Sequence, residues 1–182
     1  GPFYSFDEKV YGWKNYKKIK IEKWYYELNE FFKKMETLFN SKLIIIPHAK
    51  NKGKKNPYYD KKFKVVHDLD AINKLTPTSK AVIVHAGPST GINYAIADKK
   101  KLIFTYNDDI KKLMRDRFID IKIVAKELDT PSINLSKKIK DDDLFKPINK
   151  RKYNNYLYKY VTSKTISKKT NFQILGEILN NV

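Results

Sequence analysis

The chain has 182 residues, no cysteine, and 38 Lys+Arg against 20 Asp+Glu, a formal net charge of +18. The length suits one compact domain, and a composition 41% hydrophobic and 14% aromatic excludes a wholly disordered chain despite the charge. Zero Cys excludes disulfides, Cys-type zinc sites and thiol nucleophiles and is compatible with a reducing compartment; no apolar run approaches the roughly 20 residues that span a bilayer.

Gly1-Pro2 has no signal-peptide shape and matches what a protease leaves at a cut, so the chain is read as a piece of a longer protein. Residues 3–20, aromatic and basic without a clean period, read as an N-terminal arm or hinge segment. Ile21, Trp24, Tyr25, Leu28, Phe31, Phe32, Met35, Leu38 and Phe39 then recur every three or four positions. That spacing predicts an amphipathic helix of about five turns whose aromatic stripe faces a core. Leu43-Ile44-Ile45-Ile46 follows as a continuous apolar run, the pattern of a strand buried on both faces of a parallel sheet.

The alternation repeats downstream. Strands are predicted at 63–66, 81–84, 102–104 and 132–135, and helices at 69–75, 89–97 and 110–128. Residues 137–150 read as an exposed charged connection whose Asp141-Asp142-Asp143 is a solvated acidic run rather than a metal site. Two short helices, at 153–161 and 172–179, close the chain. The fold class is therefore α/β, a Rossmann-like, mostly parallel sheet flanked by helices. The arm (1–20) is followed by a nucleotide-binding domain (21–136), then by the connection and C-terminal helices packing back (137–182).

In an open parallel sheet, ligands bind beyond the carboxyl ends of the strands. Two such ends carry unusual residues: Pro47-His48-Ala49-Lys50 and His85-Ala86-Gly87-Pro88-Ser89-Thr90-Gly91-Ile92-Asn93. In the second, Gly87 lets the backbone approach a ligand, and Ser89 or Thr90 caps the next helix and offers hydroxyls to a phosphate. It is neither a Walker loop nor a G-x-G-x-x-G fingerprint. His48 and His85, two of three histidines, each follow a predicted strand and could donate hydrogen bonds to phosphate oxygens, with Lys50 adding fixed charge. No carboxylate stands at ligand spacing beside the pair, so no metal is assigned.

The net charge invites a nucleic-acid reading, but only Arg115, Arg117 and Arg151 are arginines, and Lys, Ile, Asn and Tyr make up 83 of the 182 residues. All four have A/T-rich codons, so coding bias accounts for much of the lysine. Lys is a point charge rather than the planar fork that reads bases. Sequence-specific nucleic-acid binding is set aside, while a general attraction for anionic partners stands. A dense patch at Lys50, Lys52, Lys54, Lys55, Lys61, Lys62 and Lys64 supports the alternative of a non-enzymatic basic module for nucleic acid or acidic polymer.

The order of an aromatic helix, a strand ending in His48, a short strand and helix, the apolar strand before His85-Ala86-Gly87-Pro88-Ser89-Thr90-Gly91-Ile92-Asn93-Tyr94, and the strand Lys101-Leu102-Ile103-Phe104-Thr105 resembles a known family. It is similar to the C-terminal, donor-binding half of bacterial surface-polysaccharide GT-B glycosyltransferases. The likeness is to the group with a His-Pro and a Ser/Thr motif, which includes CMP-sugar users such as sialyl- and Kdo-transferases. Here Pro47 precedes His48 and Ala49 follows it, where the family has the proline. The resemblance implies that His48, Lys50, His85, Gly87, Ser89, Thr90 and Asn93 contact the nucleotide or its phosphate, with Asp7-Glu8 at the hinge to a second domain.

It further implies a nucleotide-sugar donor, CMP-sugar favoured, with no metal or other cofactor. The acceptor, a glycan or lipid-linked sugar, would come through an N-terminal domain that this sequence lacks. The implied setting is cytoplasmic, and the lysine excess could let the protein lie against the anionic inner face of the plasma membrane. No catalytic residue is assigned, because the general base of inverting members belongs to the other domain. A small nucleotide-sugar enzyme complete in itself, using His48 or His85 as acid or base, is a third reading.

Overall fold

The computed structural model describes residues 20–47, 56–68, 70–87, 89, 91–162 and 173. The first element, α1 (Ile21–Phe39), buries Trp24, Tyr25, Leu28, Phe31, Phe32 and Met35, the stripe its spacing predicts. Full burial of side chains of this size contributes about 1.5–3 kcal/mol each. At its start the Asp109 carboxylate accepts from the Lys20 backbone N–H at 3.4 Å, a negative charge where the helix dipole favours one. It ends at Asn40, whose left-handed φ of 41° returns its N–H to the carbonyls of Glu36 and Thr37.

Five parallel strands follow in two groups. β1 (Ile44–Ile45) pairs with β2 (Lys64–Val65), with Ile44 opposite Lys64. β3 (Ala81–His85) pairs with β4 (Lys101–Tyr106), which pairs with β5 (Ser132–Asn134). The connections are α2 (Ala71–Leu75) with a 3-10 turn (Thr76–Thr78), then α3 (Gly91–Ala97), α4 (Asp108–Leu113) and α5 (Arg115–Leu128). Two short helices, α6 (Asp141–Phe145) and α7 (Lys150–Tyr156), and a π-helical turn (Leu157–Val161) complete the described chain. The molecule is an α/β fold with parallel sheets flanked by helices, and no helix among the described residues is long and apolar enough to cross a membrane.

Strand alternation divides the core. Val84, Leu102 and Phe104 join Ile96, Ile121 and Leu128 in one cluster, while Ile103 and Ile133 join α1, Ile110 and Met114 in the other. Tyr153 seals the first cluster. Leu102 lies beyond the reach of short β5, and its N–H donates instead to the Tyr153 hydroxyl at 3.1 Å.

Three expectations are corrected. The apolar run 43–46 is not buried on both faces: Ile45 is buried, but Ile44 and Ile46 are 38% and 37% exposed, because their side opens into a cleft. The single helix expected at 110–128 is two, broken at Met114 (φ −124°, ψ 55°). The break lets Ile110 and Met114 fill the α1-side cluster while Ile121, Ala125 and Leu128 fill the opposite one, a division that no single straight stripe achieves. The connection at 137–150 contains α6, which buries Leu144 completely and holds Asp141 against Lys34. The arm at 1–19 and, apart from Gln173, the helix expected at 172–179 lie outside the described residues.

Candidate functional site

The chain leaves β1 toward β2 on one side and runs β3, β4, β5 on the other. β1 and β3 belong to separate sheets that no strand pairing joins among the described residues, and a gap lies between them. A cleft of about 400 Å³ occupies it, a volume within the range of small-ligand sites. Its walls are apolar residues of β1 and β3, with Ile72 and Leu75 of α2. It runs from Ser41 and Lys80 at the amino ends to His85 and Ser89 at the carboxyl ends.

His85 ends β3, on the α1 face. Its ring lies 6.0 Å from that of Trp24, and its Nδ1 is buried with no hydrogen-bond partner among the described residues. Burial pushes its pKa down to about 3, because an imidazolium there would lack water. His85 is therefore a neutral hydrogen-bonding group at ordinary pH, not a cation. Opposite it in register on β4 stands Thr105, fully buried, whose Oγ1 also lacks a partner among the described residues. Two unpaired polar atoms at paired positions of neighbouring strands are uncommon in a core.

The turn after β3 is conformationally specialised. Ala86 takes a left-handed φ of 61° and Gly87 a φ of 131°, the latter a region that side chains other than hydrogen rarely enter. Ser89 is exposed at the cleft mouth, and its carbonyl accepts from the Ile92 N–H at 3.0 Å. Gly91 also lines the cleft; a Cβ there would meet Cδ1 of Ile72 at 2.7 Å, so α2 and α3 touch only because this position is bare.

Of the sequence-predicted residues, His85, Gly87 and Ser89 gather at the carboxyl end of β3. Asn93 is exposed on α3, and neither it nor Gly87 is among the residues that line the cleft. His48, Lys50 and Thr90, like Asp7-Glu8, lie outside the described residues. Part of the lysine patch does structural work, since Lys62 pairs with Glu36 at 3.0 Å and sits over the Phe63 ring.

Sequence reasoning missed three groups. Thr105 lies inside an apolar strand, where one hydroxyl carries no signal. Glu27 of α1 accepts from Asn107 Nδ2 at 3.1 Å and from Ser136 Oγ at 2.9 Å, tying the helix to the carboxyl ends of β4 and β5. Asn107 in turn caps α4 through the Ile110 N–H at 2.9 Å. Arg117, on the first turn of α5, rests against Gly87; its one local mark is being an arginine in a lysine-rich chain. Comparison with family models, curated proteins and solved structures returns no match, so the site is read from its own geometry.

Proposed function

We propose that the chain is the nucleotide-sugar donor-binding domain of a GT-B-type glycosyltransferase for bacterial surface polysaccharide, with a CMP-sugar as the favoured donor. One observation carries this reading: the cleft between β1 and β3 has His85 and Ser89, two residues singled out by the sequence motifs, at its carboxyl end. The apolar walls suit the face of a base and ribose, and the polar groups at the mouth suit a phosphate. The mechanism is displacement at the donor's anomeric carbon, the C–O bond to the nucleotide breaking as the acceptor oxygen bonds to carbon. Hydrogen bonds from Ser89, a neutral His85 and His48, with fixed charge from Lys50, would stabilise the departing phosphate. The base that deprotonates the acceptor is assigned to a second domain, so the chain alone binds donor without transferring sugar.

Calorimetric titration with CMP, UDP, GDP and ADP tests the reading. One of the four should bind one to one at roughly 0.1–1 mM, or about 4–5.5 kcal/mol. Replacing Ser89 and Thr90 together by Ala should abolish that binding and leave the fold intact. Silence for all four nucleotides, with salt-sensitive binding of long polyanions instead, would replace the donor reading by the basic-module one.

A further inference from the structure

The parallel strands end in two edges, and lysines collect at the one away from His85 and Ser89. Lys42 lies just before β1, Lys80 just before β3, and Lys99 and Lys100 lead into Lys101, the first residue of β4. Lys42 and Lys80 line the same end of the cleft, and β3 and β4 start in register with Ala81 opposite Lys101. These five charges therefore share one edge, and in the connections at 40–43, 76–80 and 98–100 they meet a single carboxylate, Asp98. The other acidic groups stand to one flank, beside the start of β5: Asp129, paired with Lys146 at 2.6 Å, and Asp142 and Asp143.

Phe145 projects from this edge. It ends α6, is 49% exposed although its neighbour Leu144 is fully buried, and stacks on Phe39 with ring centroids 5.5 Å apart. Two of the lysines hold the pair in place. Lys80 Nζ donates to the Phe39 carbonyl at 2.7 Å. Lys101 Nζ donates to the Leu144 carbonyl at 2.7 Å and lies 5.9 Å from the centre of the Phe39 ring. Those acceptors are neutral, so neither ammonium is cancelled by a carboxylate. The side chains of Lys42, Lys99 and Lys100 hold no hydrogen bond or ion pair among the described residues.

We propose that this edge is a docking surface for an anionic lipid bilayer, Phe145 entering the boundary between headgroups and acyl chains while the lysines face acidic headgroups. Large apolar side chains seat at that boundary, and each lysine held against an anionic leaflet strengthens binding by about fivefold. The charges spread over the starts of three strands around one projecting ring, which matches a plane of headgroups. A nucleic-acid strand calls instead for a line of charge with several rings along it. Docked this way, His85 and Ser89 stand at the far edge, about 15 Å from the bilayer for a strand the length of β3. The contact goes beyond the donor reading and does not depend on which ligand the cleft takes.

The test sediments the whole chain with vesicles of phosphatidylcholine, alone or mixed with phosphatidylglycerol. Salt at about 0.1 M sets a Debye length of about 10 Å, which confines attraction to charges facing the bilayer. Wild type should bind the mixed vesicles and not phosphatidylcholine alone. Lys99→Gln with Lys100→Gln should weaken binding about 10- to 25-fold. Lys111→Gln with Lys112→Gln on α4 removes the same charge beyond the carboxyl end of β4, and should change it by less than about threefold. Phe145→Ser should weaken it about three- to tenfold. If that variant does not fold, Phe145→Trp carries the test: it should keep the affinity, and its added emission relative to wild type should shift to the blue on mixed vesicles. Equal losses in the two double-lysine variants, or an added emission that vesicles leave unchanged, overturn the proposal. So does a wild type that ignores mixed vesicles; binding of single-stranded DNA in their place would make the edge a polyanion surface. No nucleotide enters this assay, so its failure leaves the donor reading standing, and silence in the nucleotide titration leaves the lipid contact standing.

Discussion

Acid should destabilise this protein through one imidazole. His85 packs against Trp24 with its Nδ1 buried and unpartnered among the described residues, and burial lowers its pKa to about 3. In the unfolded chain the same group titrates near 6.5. Between those two values the unfolded state binds a proton that the folded state refuses, so stability rises with pH across the window and falls as pH drops below about 6.5. Integrating from pH 8 to pH 5 gives a loss of about 1–2 kcal/mol from His85 alone, the lower figure allowing for the side of the residue that meets the cleft. Urea unfolding of wild type and His85→Asn at both pH values isolates the effect, because every other titrating group is shared. Wild type should lose about 1–2 kcal/mol more than the variant on acidification. Equal losses would mean that the imidazole is solvated, and would refute both its neutrality and its place as a buried hydrogen-bonding group of the site.

Three further substitutions test the packing that holds the site. Gly91→Ala should destabilise by roughly 1–3 kcal/mol through overpacking against Ile72, and Ile72→Val, which removes the Cδ1 atom that lies 2.7 Å away, should restore most of it in a denaturation double-mutant cycle. Asn107→Ala removes the cap on α4 and strips Glu27 of a donor, so its urea midpoint should report a loss of about 1–3 kcal/mol, with amide exchange accelerated at 108–113. Thr105→Val replaces a buried hydroxyl that has no partner among the described residues, and should raise stability by about 1 kcal/mol in the same assay. A fall in stability instead would reveal a bound partner for that hydroxyl.

How far the sequence reaches depends on the range of the interaction involved. The period of Trp24, Leu28, Phe31 and Met35 defines α1, and the unbroken apolar runs at 81–84 and 102–104 define paired parallel strands, because the pattern of apolar residues itself reports how a segment is buried. The turn at His85, Gly87 and Ser89 is legible for the same reason: it interrupts such a run with residues that only a special backbone or a ligand calls for. Periodicity failed at 110–128, where one apolar stripe serves two clusters on opposite faces of the sheet and must break at Met114 to do so.

The composition and local pattern of this chain therefore determined its class, its parallel strands and the turn at which His85, Gly87 and Ser89 collect. The tertiary structure alone decided that β1 and β3 stand apart with a cleft between them, that Trp24 desolvates His85, and that Arg117 comes to Gly87 from 30 positions away. Those outcomes depend on register, on the path of each crossover and on which of two cores a residue joins. A local pattern says that a side chain is buried; it carries no information about the distant residue it is buried against.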